Sequence, residues 1–160
     1  MGQDVRVTAD PPTDGSVNNA ALRDLDAETL YALLRLRVDV FVVEQDCPYA
    51  ELDGRDTEAG TRHLWLADAA GPTSYLRLLR ADDWRIGRVC TRRDARGGGL
   101  AARLLSAALA TVGDDPVVLD AQTHLADWYG RFGFEVSGPP FVEDGIPHVP
   151  MRRKGNTVRA

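Results

Sequence analysis

Hydrophobic and polar residues recur with two different periods along the chain, and each change of period marks a predicted element. Apolar residues from Leu30 to Phe41 recur at helical spacing, which predicts an amphipathic helix over about 27–41, with Asp26 as its N-cap. Its apolar face is expected to pack on a sheet. Three short runs of β-type residues follow, at 62–68, 73–81 and 84–92. Because tight turns separate these runs, they predict an antiparallel meander.

The second half of the chain returns to helical spacing between Gly99 and Val112. Pro116 then opens an apolar strand at 117–119, which has to run parallel to the strand before the helix. The remaining predicted elements are a short helix at 124–132 and strands near 133–136 and 148–152. This order predicts a mixed sheet of the α/β (α+β) type.

Composition limits the organisation to one compact unit. With 160 residues, of which 44% are hydrophobic, we expect a single domain at 19–154, with flexible tails at 1–18 and 155–160. No apolar run approaches the roughly 20 residues that span a bilayer, and no basic-then-apolar leader begins the chain. We therefore expect a cytoplasmic protein that has no membrane partner and is a monomer or homodimer.

Charge and cysteine content exclude two other classes. The formal net charge of −5 argues against a nucleic-acid partner, which requires a broad basic face. Cys47, Cys90 and the three histidines lack metal-site spacing, so neither a disulfide framework nor a metal cofactor is expected.

The distribution of charge is more informative than its sum. Six arginines and one aspartate give 85–103 a local charge of +5, which indicates an anionic ligand. Six carboxylates and Arg55 give 44–58 a local charge of −5. The acidic run is either a solvated face or a wall that receives a cation.

A strand, a glycine turn and a helix follow one another in the segment 89–101. Glycines allow backbone N–H groups to approach a phosphate, and the helix N-terminus adds roughly half a positive charge. A Walker A loop requires Lys and Ser or Thr after its glycines, whereas Leu100 and Ala101 stand here. Gly97, Gly99 and Ala102 fit a dinucleotide fingerprint, but about 60 further residues are too few for a doubly wound domain.

The segment 96–101 (Arg-Gly-Gly-Gly-Leu-Ala) resembles the acetyl-CoA signature of the GNAT superfamily of N-acetyltransferases. The resemblance implies the GNAT fold, with splayed central strands, and acetyl-CoA as co-substrate. It also implies that the backbone at 89–91 pairs with the pantetheine arm as an added strand does. The cofactor-binding residues are then Val89, Cys90, Thr91, Arg96, Gly97, Gly98, Gly99, Leu100 and Ala101. Cys90 is expected to be a buried strand residue with no nucleophilic role.

A second motif, Trp128-Tyr129-Gly130-Arg131-Phe132-Gly133-Phe134, supports this resemblance. GNAT enzymes often carry a tyrosine four residues before a Gly-Phe pair, which is the position of Tyr129. Direct acetyl transfer expels a thiolate, so Tyr129 is the predicted general acid, with a core aromatic as the alternative. Gln122 stands where many relatives have a cofactor-contacting Asn.

Within the superfamily the chain resembles the small bacterial ElaA-like family over about 22–152. The matching segments are 30–37, 40–49, 53–54, 62–64, 86–89, 121–122, 124–125 and 144–148. The resemblance implies transfer of an acetyl group to a primary amine. It leaves the acceptor to be argued from residues.

An amine attacks only when it is neutral, so the reaction needs a base. The candidates are Glu44, His63, His124 and His148, of which Glu44 and His124 rank first, although Glu44 could instead pair with Arg37. Because the acidic run lies where the superfamily builds its acceptor wall, we expect a cationic metabolite or a peptide amine. Transfer of another acyl group, a non-catalytic acyl-CoA sensor and, remotely, a nicotinamide oxidoreductase are the alternatives.

Overall fold

The computed structural model describes residues 15–156, which form an eight-stranded sheet with helices on both faces. Residues 1–14 and 157–160, most of the two predicted tails, lie outside the described range. The strands are β1 (Asn18–Ala20), β2 (Arg62–Asp68), β3 (Gly71–Arg80), β4 (Trp84–Thr91), β5 (Val117–Gln122), β6 (Glu135–Val136), β7 (Phe141–Glu143) and β8 (Ile146–Arg153). The helices are α1 (Ala27–Val38), α2 (Leu100–Val112) and α3 (Ala126–Gly130).

The sheet has the order β1-β2-β3-β4-β5-β8-β6, and β7 pairs with β8. Strands β2 to β4 form the predicted antiparallel meander, β1 pairs with β2 at its edge, and β5 returns parallel to β4 after α2. The mixed α/β sheet is therefore confirmed. Strands β1 and β7 were not predicted, because three-residue edge strands carry too little pattern to detect.

Helix α1 begins where the sequence predicted, since Asp26 Oδ1 accepts a hydrogen bond of 2.7 Å from the Thr29 N–H. Its buried face packs Leu33 and Leu36 against the sheet. The helix ends at Val38, and the chain continues as a π-helical segment over Asp39–Glu44. This change of winding brings the next part of the chain to the site described below.

The opposite face of the sheet carries α2 and α3. Leu104, Leu105 and Ala108 of α2 are fully buried, and they belong to the same core cluster as Tyr129 of α3. Burial of these side chains stabilises the crossover from β4 to β5. Within residues 15–156, no helix is long and apolar enough to cross a bilayer.

The two parallel strands at the centre of the sheet stay together for only a short distance. Trp84 pairs with Val117 and Arg85 pairs with Val118, after which β4 and β5 separate. The edge of β4 that faces β5 is therefore open from residue 86 to residue 91. A ligand can occupy this opening without breaking the sheet.

Candidate active site

A cavity of about 600 Å³ lies where β4 and β5 separate. Its walls come from the chain after α1, from β3 to β5, from α3 and from the β7–β8 hairpin. The structure brings four predicted site residues to this cavity, Val89, Gln122, Tyr129 and the candidate base His148. The glycine turn at 96–99 lies farther along the chain, beyond the end of β4.

Tyr129 combines burial with an unused hydroxyl group. Its ring packs edge-on against Trp128 and Phe134, with centroids 4.9 and 6.1 Å away. Among residues 15–156 its hydroxyl has no hydrogen-bond partner, and burial raises the pKa of Tyr129 to about 12. The hydroxyl is therefore protonated at neutral pH and free to donate into the cavity.

The glycine turn has the open geometry that a phosphate needs. Gly97 and Gly99 have φ angles of 84° and 75°, and a Cβ atom built on Gly97, Gly98 or Gly99 would meet no atom within 4 Å. Gly99 caps α2, whose first turn contains neither a side-chain cap nor an acidic residue. The backbone N–H groups at this helix start are thus available to an anion.

Most of the arginine cluster is engaged by other groups of the protein. Arg85 lies 3.0 Å from Asp120, Arg92 binds Asp68 and Asp94, and Arg103 donates to the Gly15 carbonyl. Among the residues described, Arg93 has neither a hydrogen bond nor an ion pair. The +5 charge counted in the sequence is therefore largely compensated in the folded chain.

Glu44 lies at the glycine turn rather than at the cavity. Its carboxylate accepts hydrogen bonds of 2.5 and 2.7 Å from Arg96, and these bonds lower the pKa of Glu44. Arg96 also donates to the Thr91 carbonyl at 3.0 Å. A carboxylate held in this way is a weaker base. The other pairing considered for Glu44, with Arg37, is not found.

The three histidines occupy different environments. His63 is buried between the Tyr75 hydroxyl at 2.6 Å and the Asp56 carbonyl at 3.2 Å, and burial lowers the pKa of His63. His124 is exposed and does not line the cavity. The structure thus separates His124 from Tyr129, although both lie close together in sequence.

His148 is the histidine that lines the cavity. Its Nδ1 lies 2.7 Å from the Ile146 carbonyl, and because a carbonyl only accepts, this nitrogen carries the proton. The ring stacks on Phe141, with centroids 5.7 Å apart. Nε2 of His148 is then the acceptor nitrogen.

The centre of the acidic run, at Glu51 and Asp56, is neither a solvated face nor a free cation receptor. Glu51 is buried with 4% of its surface exposed, and Asp56 is buried with it. Both carboxylates bind Arg37 of α1, at 2.6 and 2.7 Å. The charges of Glu51 and Asp56 are compensated inside the protein, because the loop folds back on buried arginines.

Two further arginines complete this buried network. Arg77 of β3 binds Asp53 at 2.8 Å and Asp56 at 3.2 Å, and Arg88 of β4 binds Glu51 at 2.8 Å. Sequence reasoning missed the network because its members are far apart in the chain. An arginine at a core position of α1 was the one available signal.

The β7–β8 hairpin supplies carboxylates that remain uncompensated. Asp144 and Gly145 form its two-residue turn, with φ angles of 50° and 77°, as a type I′ turn requires. Glu143 and Asp144 line the cavity, and neither carboxylate pairs with an arginine or lysine of the described range. The Asp144 carbonyl accepts a hydrogen bond from Cys47 Sγ at 3.3 Å, which joins this hairpin to the loop after α1.

The chain matches the family model described as Acetyltransferase (GNAT) domain over residues 26–154. UPF0039 protein Rv2851c of Mycobacterium tuberculosis is 56% identical over 140 residues, which cover 84% of this chain and 90% of that protein. Protein ElaA of Escherichia coli is 42% identical over 141 residues, which cover 82% and 91% of the two chains. A solved acyl-CoA N-acyltransferase from Pseudomonas aeruginosa superposes with a TM-score of 0.83 at 43% identity, with 87% of this chain and 99% of that one covered.

The sheet that opens between two parallel strands, next to a glycine turn and a helix start, defines the class of acyl-CoA N-acyltransferases. The chain belongs to the GNAT acetyltransferase family, in its ElaA-like branch.

Proposed function

We propose that this protein transfers the acetyl group of acetyl-CoA directly to a primary amine of a small cationic metabolite or a peptide. The observation that carries the proposal is the position of Tyr129, a buried phenol at the opening between β4 and β5 whose hydroxyl has no hydrogen-bond partner within residues 15–156. An acid is needed at this point because the reaction releases a thiolate.

The donor site follows from the open edge of β4 and the glycine turn. Backbone groups at 89–91 suit an extended pantetheine arm, which would add to β4 as a strand does. The N–H groups that follow Gly97 to Gly99 suit the diphosphate. Gln122 lines the cavity and would bind the amide portion of the arm.

The cavity residues divide the proton transfers between them. His148 accepts a proton from the incoming ammonium group, so that the nitrogen can attack the thioester carbonyl and form the new C–N bond. Tyr129 gives its proton to the sulfur as the C–S bond breaks. The bonded nitrogen gives up its second proton to solvent water as the amide forms, and transfer of the first proton from His148 back to Tyr129 through water restores both residues, so that one proton is released overall.

The charge of the cavity favours a cationic acceptor. Asp53 and Asp120 line the cavity but are paired with arginines, whereas Glu143 and Asp144 have no ion-pair partner in the described part of the chain. A second positive charge on the acceptor would therefore be attracted by the β7–β8 hairpin. This assignment replaces the sequence-based one, which relied on the acidic run at 44–58.

The proposal is tested by incubating the purified protein with acetyl-CoA and a panel of amines while free thiol is measured. The panel contains polyamines, aminoalkyl metabolites, and peptides with a free lysine or N-terminal amine. Amine-dependent release of CoA is expected, and the acetylated amine should appear in equal amount by mass spectrometry. Binding of acetyl-CoA without release for any amine would instead identify an acyl-CoA sensor.

Acyl preference is measured separately by thermal shift with acetyl-CoA and longer acyl-CoAs. A larger stabilisation by a longer acyl chain would replace acetyl in the proposal but would leave the acceptor argument unchanged. NAD serves as a control that should give no shift.

A further inference from the structure

Strand β4 carries a β-bulge at the cavity wall. In the ladder between β3 and β4, Tyr75 pairs with Cys90 and Arg77 pairs with Gly87. The single intervening residue of β3 therefore faces two residues of β4, Arg88 and Val89. Bulges of this kind bend a strand and redirect its side chains and backbone groups.

The backbone of Arg88 has an uncommon conformation. Its φ angle is 55°, in the left-handed region where any residue with a Cβ atom is less stable than in extended structure. Such a conformation persists only when its surroundings hold it in place. The Arg88 side chain shows what holds it here.

The guanidinium group of Arg88 is anchored at several points on the loop after α1. Its Nε lies 2.8 Å from Glu51 Oε2, and its Nη2 donates to the Glu51 carbonyl at 3.2 Å and to Asp53 Oδ2 at 3.3 Å. The group also lies over the Tyr49 ring, 5.4 Å from its centroid. A planar fork with several donors can be fixed in orientation by such contacts, whereas a single ammonium group cannot.

The anchors are themselves fixed by the core. Glu51 binds Arg37 at 2.6 Å and Asp53 binds Arg77 at 2.8 Å. The contacts of Arg88 therefore connect the bulge to α1 through Glu51, and to β3 through Asp53. Gly87, Arg88 and Val89 line the same cavity as Tyr129, so the bulge conformation sets part of the cavity's shape.

We propose that Arg88 is a positioning residue whose side chain, anchored by Glu51 and Asp53, holds the β4 bulge in its left-handed conformation and so shapes the cavity wall at residues 87–89. The kinetic consequence rests on the proposed acetyl transfer, whereas the structural consequence is independent of it. Small displacements of groups that hold a reacting centre lower turnover strongly.

Three substitutions of Arg88 separate this role from a simple charge effect. Arg88→Ala removes the anchor and keeps a Cβ atom, so the bulge should relax. Arg88→Gly also removes the anchor but adopts positive φ readily, so it should retain the bulge. Arg88→Lys keeps the charge but not the fork, so it should hold the bulge less well than arginine does.

The first measurement is hydrogen–deuterium exchange of segment 84–91 in the full-length protein. Exchange should be faster than in the wild type for Arg88→Ala and for Arg88→Lys, and close to the wild type for Arg88→Gly. The second measurement is kcat/KM, which should fall roughly tenfold or more for Arg88→Ala and recover at least partly in Arg88→Gly. Arg35→Ala, on α1 with an exposed partner, is the control and should leave both measurements unchanged.

Equal behaviour of Arg88→Ala and Arg88→Gly in both measurements would overturn the proposal, as would wild-type exchange in Arg88→Lys. If neither the alanine nor the glycine variant folds, the lysine variant still decides the question by its exchange. If the wild type acetylates no amine, the proposed function fails, and the exchange comparison alone then confirms or overturns the role of Arg88.

Discussion

The hydroxyl of Tyr129 is the single atom on which the proposed chemistry depends most. Tyr129→Phe removes this atom and keeps the ring contacts with Trp128 and Phe134. We expect kcat to fall by roughly 10- to 1,000-fold with nearly constant acyl-CoA affinity, because general-acid contributions are typically ~10²–10⁴ and water can partly substitute. The measurements are kcat, acyl-CoA affinity and melting temperature on one preparation.

Two observations complete this test. Because burial raises the pKa of Tyr129 to about 12, the hydroxyl keeps its proton between about pH 7 and about pH 9. The loss in kcat should therefore be the same factor across that range. Tyr31→Phe, on the exposed side of α1, is the matched control. Full turnover with lowered stability in Tyr129→Phe would show a purely structural residue.

The choice of base is also decided by single residues. His148 lines the cavity with its Nε2 as the acceptor nitrogen, whereas His124 is exposed outside the cavity. We expect His148→Gln to lower kcat by roughly 10²-fold, in the range of general-base contributions, and His124→Gln to leave it unchanged. The reverse result would restore His124, one of the two bases ranked first on sequence grounds.

At the scale of elements, the glycine turn before α2 can be tested without disturbing its backbone. Gly99 has a φ angle of 75°, so a substitution there combines strain with any change of charge. Gly98 lies outside the left-handed region and has open space around its Cβ position. Gly98→Asp should weaken acyl-CoA binding by roughly 10- to 100-fold through repulsion of the diphosphate, and Gly98→Ala should have little effect. Unchanged binding, by calorimetry, in a folded Gly98→Asp variant would remove the diphosphate site from this turn.

The buried network determines how the loop after α1 attaches to the sheet. Arg37→Ala leaves Glu51 and Asp56 without their shared partner, so we expect unfolding free energy to fall by about 3–5 kcal/mol. Arg35 lies on the same helix, in an exposed pair with Asp39, and Arg35→Ala should change stability by less than about 0.5 kcal/mol. Urea denaturation of both variants provides the comparison. Equal unfolding free energies for Arg37→Ala and Arg35→Ala would show that the network contributes specificity without net stability.

At the scale of the whole molecule, the fold brings the carboxylates of the β7–β8 hairpin to a cavity whose other walls come from distant parts of the chain. The double variant Glu143→Gln with Asp144→Asn should raise KM for a diamine by roughly 3- to 10-fold, since each exposed pair is worth up to ~1 kcal/mol. KM for a neutral-tailed monoamine of equal length should not change. The increase in KM for the diamine should also be smaller at high salt.

Asp82→Asn, in the exposed turn between β3 and β4, is the control for a general loss of negative charge. A diamine KM that rises equally in this control would mean that net charge, and not the hairpin, attracts the acceptor.

The meander, the parallel return and the glycine turn could be predicted from the sequence because each depends on neighbouring residues. The start of α1 at Asp26 is an example, since its cap bond to Thr29 is local. The end of α1 was placed three residues late, because the apolar spacing continues while the helix changes to π-helical winding at Asp39. Only the packed environment favours that change.

The sequence by itself determined the order of the elements, the family and the residue types that the chemistry needs. It did not determine which charged residues face one another, because ion pairs such as Arg77 with Asp53 join positions 24 residues apart. The same reason separates Glu44 and His124 from Tyr129, and brings His148 and the β7–β8 hairpin to the cavity. Local pattern specifies strands and helices. Which charged side chains are paired and which stay unpaired is decided only after the strands have paired, because an ion pair depends on a distance of a few ångströms that the fold alone sets.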